Sequence, residues 1–170
     1  MSKSIPKPAP DPAEQRKLVR KNVLLTGVLC DANGEAAAEC TVHDMHTQGA
    51  AVSRGNLTVN TRVFLIDVGN NNAHEARVAW SKDDRSGLQF TRSYTMGLGL
   101  PPNLKFLFRL QFEAKLAQVR RAVAGGVAIK AALGSTGLTK EHIHQMARHA
   151  TGDERFLRLL LIAERLLNPS

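Results

Sequence analysis

The sequence contains few of the residues that stabilise secreted proteins, and no long apolar run. Only two of its 170 residues are cysteines, Cys30 and Cys40. Two thiols do not make the disulfide framework of a small secreted domain, so we expect both to be buried apolar side chains. No apolar stretch reaches the ~20 residues of a spanning helix, and the N-terminus lacks the apolar segment of a secretory signal. We therefore expect a cytoplasmic protein with no membrane span.

Positive charge is in excess, and it is unevenly distributed. The chain has 23 Lys and Arg against 15 Asp and Glu, a formal net charge of +8, which favours anionic partners. Residues 1–96 hold 12 basic and 10 acidic residues, whereas residues 97–170 hold 11 and 5, which gives +2 and +6. Most of the basic excess therefore belongs to the C-terminal part of the chain.

The first 96 residues predict an arm followed by strands. Prolines at positions 6, 8, 10 and 12 prevent a helix or a strand ladder, so residues 1–13 are expected to form a disordered arm. Residues 14–96 have the pattern of about six short strands, with turns at Asn33–Gly34 and Asn70–Asn72. This spacing predicts a small antiparallel β-barrel.

Within the barrel region, the strand 73–80 alternates small apolar and polar residues. This alternation predicts that Ala76, Val78 and Trp80 share one face of the strand.

Residues 97–170 are predicted to form a helical extension, so the fold class is mainly β with an α-helical C-terminal region. Leu104, Phe108, Phe112 and Leu116 recur at helical spacing, and glycines then divide the remaining residues into shorter helices. The last of these, residues 154–168, is apolar on nearly every side. We expect it to pack within the same chain, and the alternative is a homo-oligomer interface.

Two short motifs have residues suited to an anionic ligand. Arg16 and Arg20 lie between the arm and the first strand, where two guanidinium groups could clamp a guanine nucleotide. Asp44 and His46 are two positions apart at the end of a strand and are therefore expected on one face, and Gly49 permits close backbone approach. Each motif alone is equally typical of a solvated strand end.

Together these motifs resemble a known family. An R-x-x-x-R segment (Arg16 to Arg20) precedes a D-x-S-x-x-G-like segment (Asp44 to Gly49), and then V-A-W (78–80) and G-L-Q-F (87–90) follow. This order and spacing is similar to that of the PilZ domain, the bacterial receptor module for cyclic diguanylate (cyclic di-GMP).

The resemblance implies a six-stranded PilZ-like barrel whose N-terminal arm closes over the nucleotide. It assigns contacts with the guanines and phosphates to Arg16 and Arg20, recognition of a guanine to Asp44, and close backbone approach to Gly49. His46, at the position of the family's serine, could donate a hydrogen bond to a phosphate or a guanine acceptor. The function it implies is a receptor that passes the signal to an unidentified protein effector through the barrel and the C-terminal helices, with no cofactor.

One departure from the family motif leaves an alternative open. His46 stands where the family has serine, so the chain could instead be a PilZ-like scaffold that no longer binds the nucleotide. A DNA-binding regulator that uses the basic helical tail is less favoured, because its second helix is mostly apolar. No phosphate loop, nucleophile motif or carboxylate pair indicates an enzyme.

Two groups of residues that contain histidines do not indicate metal sites. In a regular strand Cys40 and His46 share a face while His43 points away, which does not make a zinc site. His142, His144 and His149 lie on one predicted helix, where the pattern is typical of a solvated surface.

Overall fold

The barrel predicted from the sequence is confirmed. The computed structural model of the chain describes residues 21–97 and 100–169, with side chains from residue 25 onward. Within them, six antiparallel strands close into a barrel in the order β1–β2–β3–β6–β5–β4. The strands are β1 (Lys21–Asp31), β2 (Ala38–His46), β3 (Gly49–Val52), β4 (Arg62–Asp67), β5 (Asn72–Lys82) and β6 (Arg85–Thr95). The predicted arm, residues 1–13, lies outside the described residues.

Local hydrogen bonds set the turn between β1 and β2. The Asp31 carboxylate Oδ1 accepts hydrogen bonds from the backbone N–H groups of Asn33 (2.9 Å) and Glu35 (2.8 Å). Gly34 has a φ of +79°, and a Cβ at this position would collide with the ring of Phe106. Glycine is therefore needed here both for the left-handed backbone and for the close approach of a helical residue.

Strands β1 and β4 are buried on both faces, because the barrel has one core inside it and another outside it. Leu29 and Leu65 point into the barrel interior. Cys30, Phe64 and Ile66 point outward and pack in a second core with the C-terminal helices. This arrangement explains why β4 is an almost unbroken apolar run rather than an alternating one.

The C-terminal region is helical, as predicted. A 3₁₀ turn at Pro102–Leu104 leads into four helices, α1 (Phe106–Ala124), α2 (Ile129–Thr136), α3 (Lys140–His149) and α4 (Glu154–Leu167). Side-chain caps start the last two, since Thr139 Oγ1 accepts from the His142 N–H (3.2 Å) and Asp153 Oδ1 accepts from the Phe156 N–H (3.0 Å). Across the described residues, no helix has both the length and the apolar character of a transmembrane span.

Helix α4 packs within the chain. Phe156, Leu160 and Ala163 are buried in the core that the helices share with the outer face of the barrel. Leu157 and Leu161, one helical turn apart on the opposite side, are exposed. The helix therefore buries one side against its own chain, and a homo-oligomer interface through it stays a prediction.

Two histidines that were expected on a solvated helix surface are partly buried, so that expectation was wrong. His142 and His149 are seven residues apart on α3 and both face α1, because seven residues complete about two helical turns. His142 stacks on Phe112, with ring centroids 6.4 Å apart, and His149 stacks on Phe108 at 4.2 Å. His144, on another side of the helix, is exposed.

The stability of the protein is expected to fall as the pH drops below about 6.5. Burial lowers the pKa of His74, which is buried in β5, and also those of His142 and His149. Below the unfolded-state pKa, the unfolded chain binds protons that the folded chain does not. Each such proton lowers the free energy of unfolding by up to about 1.4 kcal/mol per pH unit. Most of this effect should come from His74, because the other two histidines are more exposed and their shifts are better screened.

Urea unfolding at about pH 7.5 and about pH 5 measures this dependence. His144→Gln should keep it, because that side chain is exposed, and His74→Gln should reduce it. An unfolding free energy that does not change between the two pH values would contradict the prediction.

Candidate functional site

An open cavity of about 390 Å³ lies on the outside of the barrel, at the end of β2. Residues of β2 and β3 form one side, and residues of β5 and β6 form the other. The lining residues are His43, Asp44, His46, Ala50, Ala51, Ala79, Trp80, Arg85, Gly87 and Leu88. Asp44 and His46, which the sequence predicts on one face, are therefore brought together here.

A β-bulge turns the polar end of β2 out of the barrel. Val42 pairs with Val52, but the next pair joins Asp44 to Ala51, so His43 is an extra residue. Cys40 is consequently buried in the barrel interior, while Asp44 and His46 face the cavity. The expectation that Cys40 and His46 share a face was wrong, because it assumed a regular strand. Within the described ranges, no group of three His, Cys, Asp or Glu side chains is placed to hold a metal ion.

A second bulge brings Trp80 to the cavity. Val78 pairs with Leu88 and Trp80 pairs with Gly87, which leaves Ala79 as the extra residue. Val78 is fully buried, whereas Trp80 is 46% exposed, so the prediction that the two share a face was wrong. The indole lies over Gly87, where any Cβ would collide with its ring. The cavity therefore has an accessible aromatic surface that strand alternation does not predict.

The turn after β2 holds the ring of His46 close to the backbone. His46 Nδ1 accepts a hydrogen bond from the Gln48 N–H at 3.2 Å. Gly49, which pairs with His46, does not line the cavity. A Cβ on Gly49 would lie 3.4 Å from His46 Nε2 and would collide with the carbonyl oxygen of Leu88. The contact that requires glycine at this position is therefore with the neighbouring strand.

The N-terminal segment joins the barrel next to this cavity. In the ladder between β1 and β2, Lys21 pairs with Met45 and Asn22 pairs with Asp44. Lys21, the first described residue, thus lies at the edge of the cavity. Arg16 and Arg20, which belong to that segment, lie outside the described residues.

The lining offers three kinds of contact to a ligand. Asp44 is half-buried and contributes a carboxylate, an acceptor group whose Oδ1 is enclosed by protein, while Arg85 is exposed and offers guanidinium N–H donors. Trp80 offers a flat ring on which a planar group can stack. Sequence motifs identified Asp44 and His46, but not Trp80 or Arg85 as cavity residues. The bulge at Ala79 sets where Trp80 lies, and the pairing of β5 with β6 sets where Arg85 lies. Neither signal is present in a strand pattern.

Comparison with known proteins finds a match among solved structures. No protein-family model and no curated protein matches the chain. Among solved structures, it is similar to the PilZ domain of CeSA from a cellulose synthesizing bacterium, with 19% sequence identity and a TM-score of 0.39. The match covers 57% of this chain and 98% of that one. The closed six-stranded antiparallel barrel of the present chain fits the PilZ-like fold that its motifs imply.

Proposed function

We propose that the protein is a non-enzymatic receptor for cyclic diguanylate. Binding orders the arginine segment, Arg16 to Arg20, over the nucleotide and is passed to a protein partner through the barrel and the C-terminal helices. The observation that best supports this proposal is the pairing of Lys21 with Met45. Lys21, the residue that follows Arg20 in the sequence, thus lies at the edge of a cavity that presents Asp44 and Trp80.

Each group in and beside the cavity suits one part of this ligand. The Asp44 carboxylate accepts from the N1–H and N2–H donors of a guanine, and the Trp80 ring stacks on a purine face. Arg85 supplies a guanidinium group for a phosphate, and Arg16 and Arg20 add two more when the arginine segment closes over the ligand. Because the ligand is a dianion with two guanines, it can contact the guanidinium cations, the carboxylate acceptor and the aromatic ring at the same time.

Calorimetric titration of the full chain with cyclic diguanylate tests the proposal. We expect saturable heat, together with a change in tryptophan fluorescence, because Trp80 is the only tryptophan in the sequence. Trp80→Ala should weaken binding ~5- to 150-fold, since stacking on a base contributes about 1–3 kcal/mol. Val59→Ala, which shortens another exposed apolar side chain, should leave affinity unchanged. Absence of heat with the wild-type chain would exclude the receptor function.

A PilZ-like scaffold that no longer binds the nucleotide is the second candidate, and His46 favours it. The imidazole ring occupies the space next to Gly49 and lines the cavity where the family has a smaller serine. His46→Ser separates the two functions in the same titration. A receptor binds with either residue at position 46, whereas a scaffold gains binding only when serine is restored.

A further inference from the structure

A second cavity, of about 540 Å³, lies elsewhere on the outer face of the barrel, where the helical cover ends. Strands β4, β5 and β6 form its floor, and residues around the 3₁₀ turn form its rim. It shares no lining residue with the candidate nucleotide site. Three arginines, Arg62, Arg77 and Arg92, line it, and we call it the arginine recess.

Strand pairing places these arginines close together. Arg62 on β4 is directly opposite Arg77 on β5, and Glu75 on β5 is directly opposite Arg92 on β6. Side chains directly opposite one another on neighbouring strands have Cβ atoms about 5 Å apart, and like charges in such positions destabilise a sheet. The pairing of Arg62 with Arg77 therefore costs stability in the unliganded protein.

The described side chains that line the recess leave its positive charge largely uncompensated. Glu75 is the only carboxylate among them, and its Oε1 accepts from Arg62 Nε at 2.7 Å. The Tyr94 hydroxyl donates to Glu75 Oε2 at 3.4 Å, which helps to fix that carboxylate. Arg77 donates to the Asn60 carbonyl at 3.4 Å, and neither Arg77 nor Arg92 forms an ion pair with another described residue. Three cations and one anion give the recess a net charge of +2.

We propose that the arginine recess binds a phosphate-bearing small molecule with two or more negative charges, independently of cyclic diguanylate. Guanidinium groups bind phosphate oxygens through pairs of parallel N–H donors, and such charge-assisted bonds are the strong ones. Arg62 is held to Glu75 through Nε, so its two Nη groups stay available for a ligand. A cavity of this size is within the range of small-molecule sites, about 300–1,000 Å³.

Titration of the full chain with inorganic pyrophosphate, at constant ionic strength, tests this site. We expect saturable binding that weakens about tenfold or more in Arg77→Gln and in Arg92→Gln, since each variant removes charge-assisted hydrogen bonds. Arg155→Gln, which removes an exposed arginine of α4, should bind as the wild type does. No saturable binding, or an equal loss in Arg155→Gln, would overturn the proposal. Inorganic phosphate in a parallel titration shows whether one phosphate group is sufficient.

Two further measurements separate this site from the nucleotide site and from a structural role. Arg77→Gln should leave the affinity for cyclic diguanylate unchanged, and a loss there would show that the recess is part of the nucleotide site. Because Arg77 faces Arg62, Arg77→Gln should also leave the melting temperature at low salt unchanged or raise it. A fall of several degrees would show that the arginines stabilise the fold, which would overturn the proposal. The pyrophosphate result does not depend on whether cyclic diguanylate binds.

Discussion

The double variant Arg16→Ala/Arg20→Ala is expected to lose at least ~30-fold in affinity for cyclic diguanylate. Each guanidinium contact with a phosphate or a guanine contributes about 1–3 kcal/mol, so removing both removes about 2–6 kcal/mol. The cavity itself presents one arginine, Arg85, together with Asp44 and Trp80. Without Arg16 and Arg20, a dianionic ligand would face one guanidinium group, that of Arg85, and one carboxylate among the described lining residues.

Lys17→Ala is the matched control for this experiment. It removes a positive charge from the same segment, between the two arginines, but not a guanidinium fork. Calorimetry on the three single variants and the double variant should give a large loss for Arg16→Ala and for Arg20→Ala and a small one for Lys17→Ala. Equal losses in all three would mean that the segment acts only through its net charge, and the proposed contacts would then be wrong.

In the proposed function, ordering of the arginine segment on binding would be the physical basis for signalling. A segment that becomes ordered on binding uses part of the interaction energy for that ordering, so affinity and conformational change are coupled. Lys21 and Asn22 pair with residues at the cavity edge, so closure of the arginine segment would act directly on the start of β1. Further along the same strand, Val28 and Cys30 pack against the helices. Strand β1 is therefore a continuous physical connection between the proposed site and the helical layer.

Turn residues made the architecture predictable from the sequence. Asn33–Gly34 falls in the turn that joins β1 to β2, and Asn70 and Asn71 fall in the turn that joins β4 to β5, while Asn72 begins β5. Both Gly34 and Asn71 have positive φ values. Thr139 and Asp153 cap the starts of α3 and α4, and such residues before an apolar-periodic run are a signal of a helix start in a sequence. These signals are local, so each acts through hydrogen bonds or backbone angles within a few residues.

The faces of the strands were less predictable, because they depend on pairing with distant residues. One extra residue in β2, His43, and one in β5, Ala79, reverse the alternation beyond each bulge. The positions of Asp44 and Trp80 in the cavity depend on those bulges. For the same reason the arginine recess could not be predicted, since only the strand register brings Arg62 and Arg77 together.

Replacement of Phe64 by alanine is expected to reduce the free energy of unfolding by about 3–5 kcal/mol. Phe64 is fully buried on the outer face of β4, and its ring packs edge-on against that of Phe106, with centroids 5.9 Å apart. Phe106 in turn packs over Gly34 of the first turn. The loss would be a large part of the roughly 5–15 kcal/mol that stabilises a typical domain.

The same variant tests whether the barrel and the helices unfold together. In urea, Trp80 fluorescence reports on the barrel and far-ultraviolet circular dichroism reports mainly on the helices. Because Phe64 belongs to the core that both parts share, both signals should shift to lower urea by the same amount. Phe64→Leu, which leaves a smaller cavity, should shift both by less, and Val59→Ala, at an exposed site, should shift neither. If only one signal shifted, the barrel and the helices would not unfold as one cooperative unit. Their shared core could then not pass the effect of binding at the barrel to the helical layer.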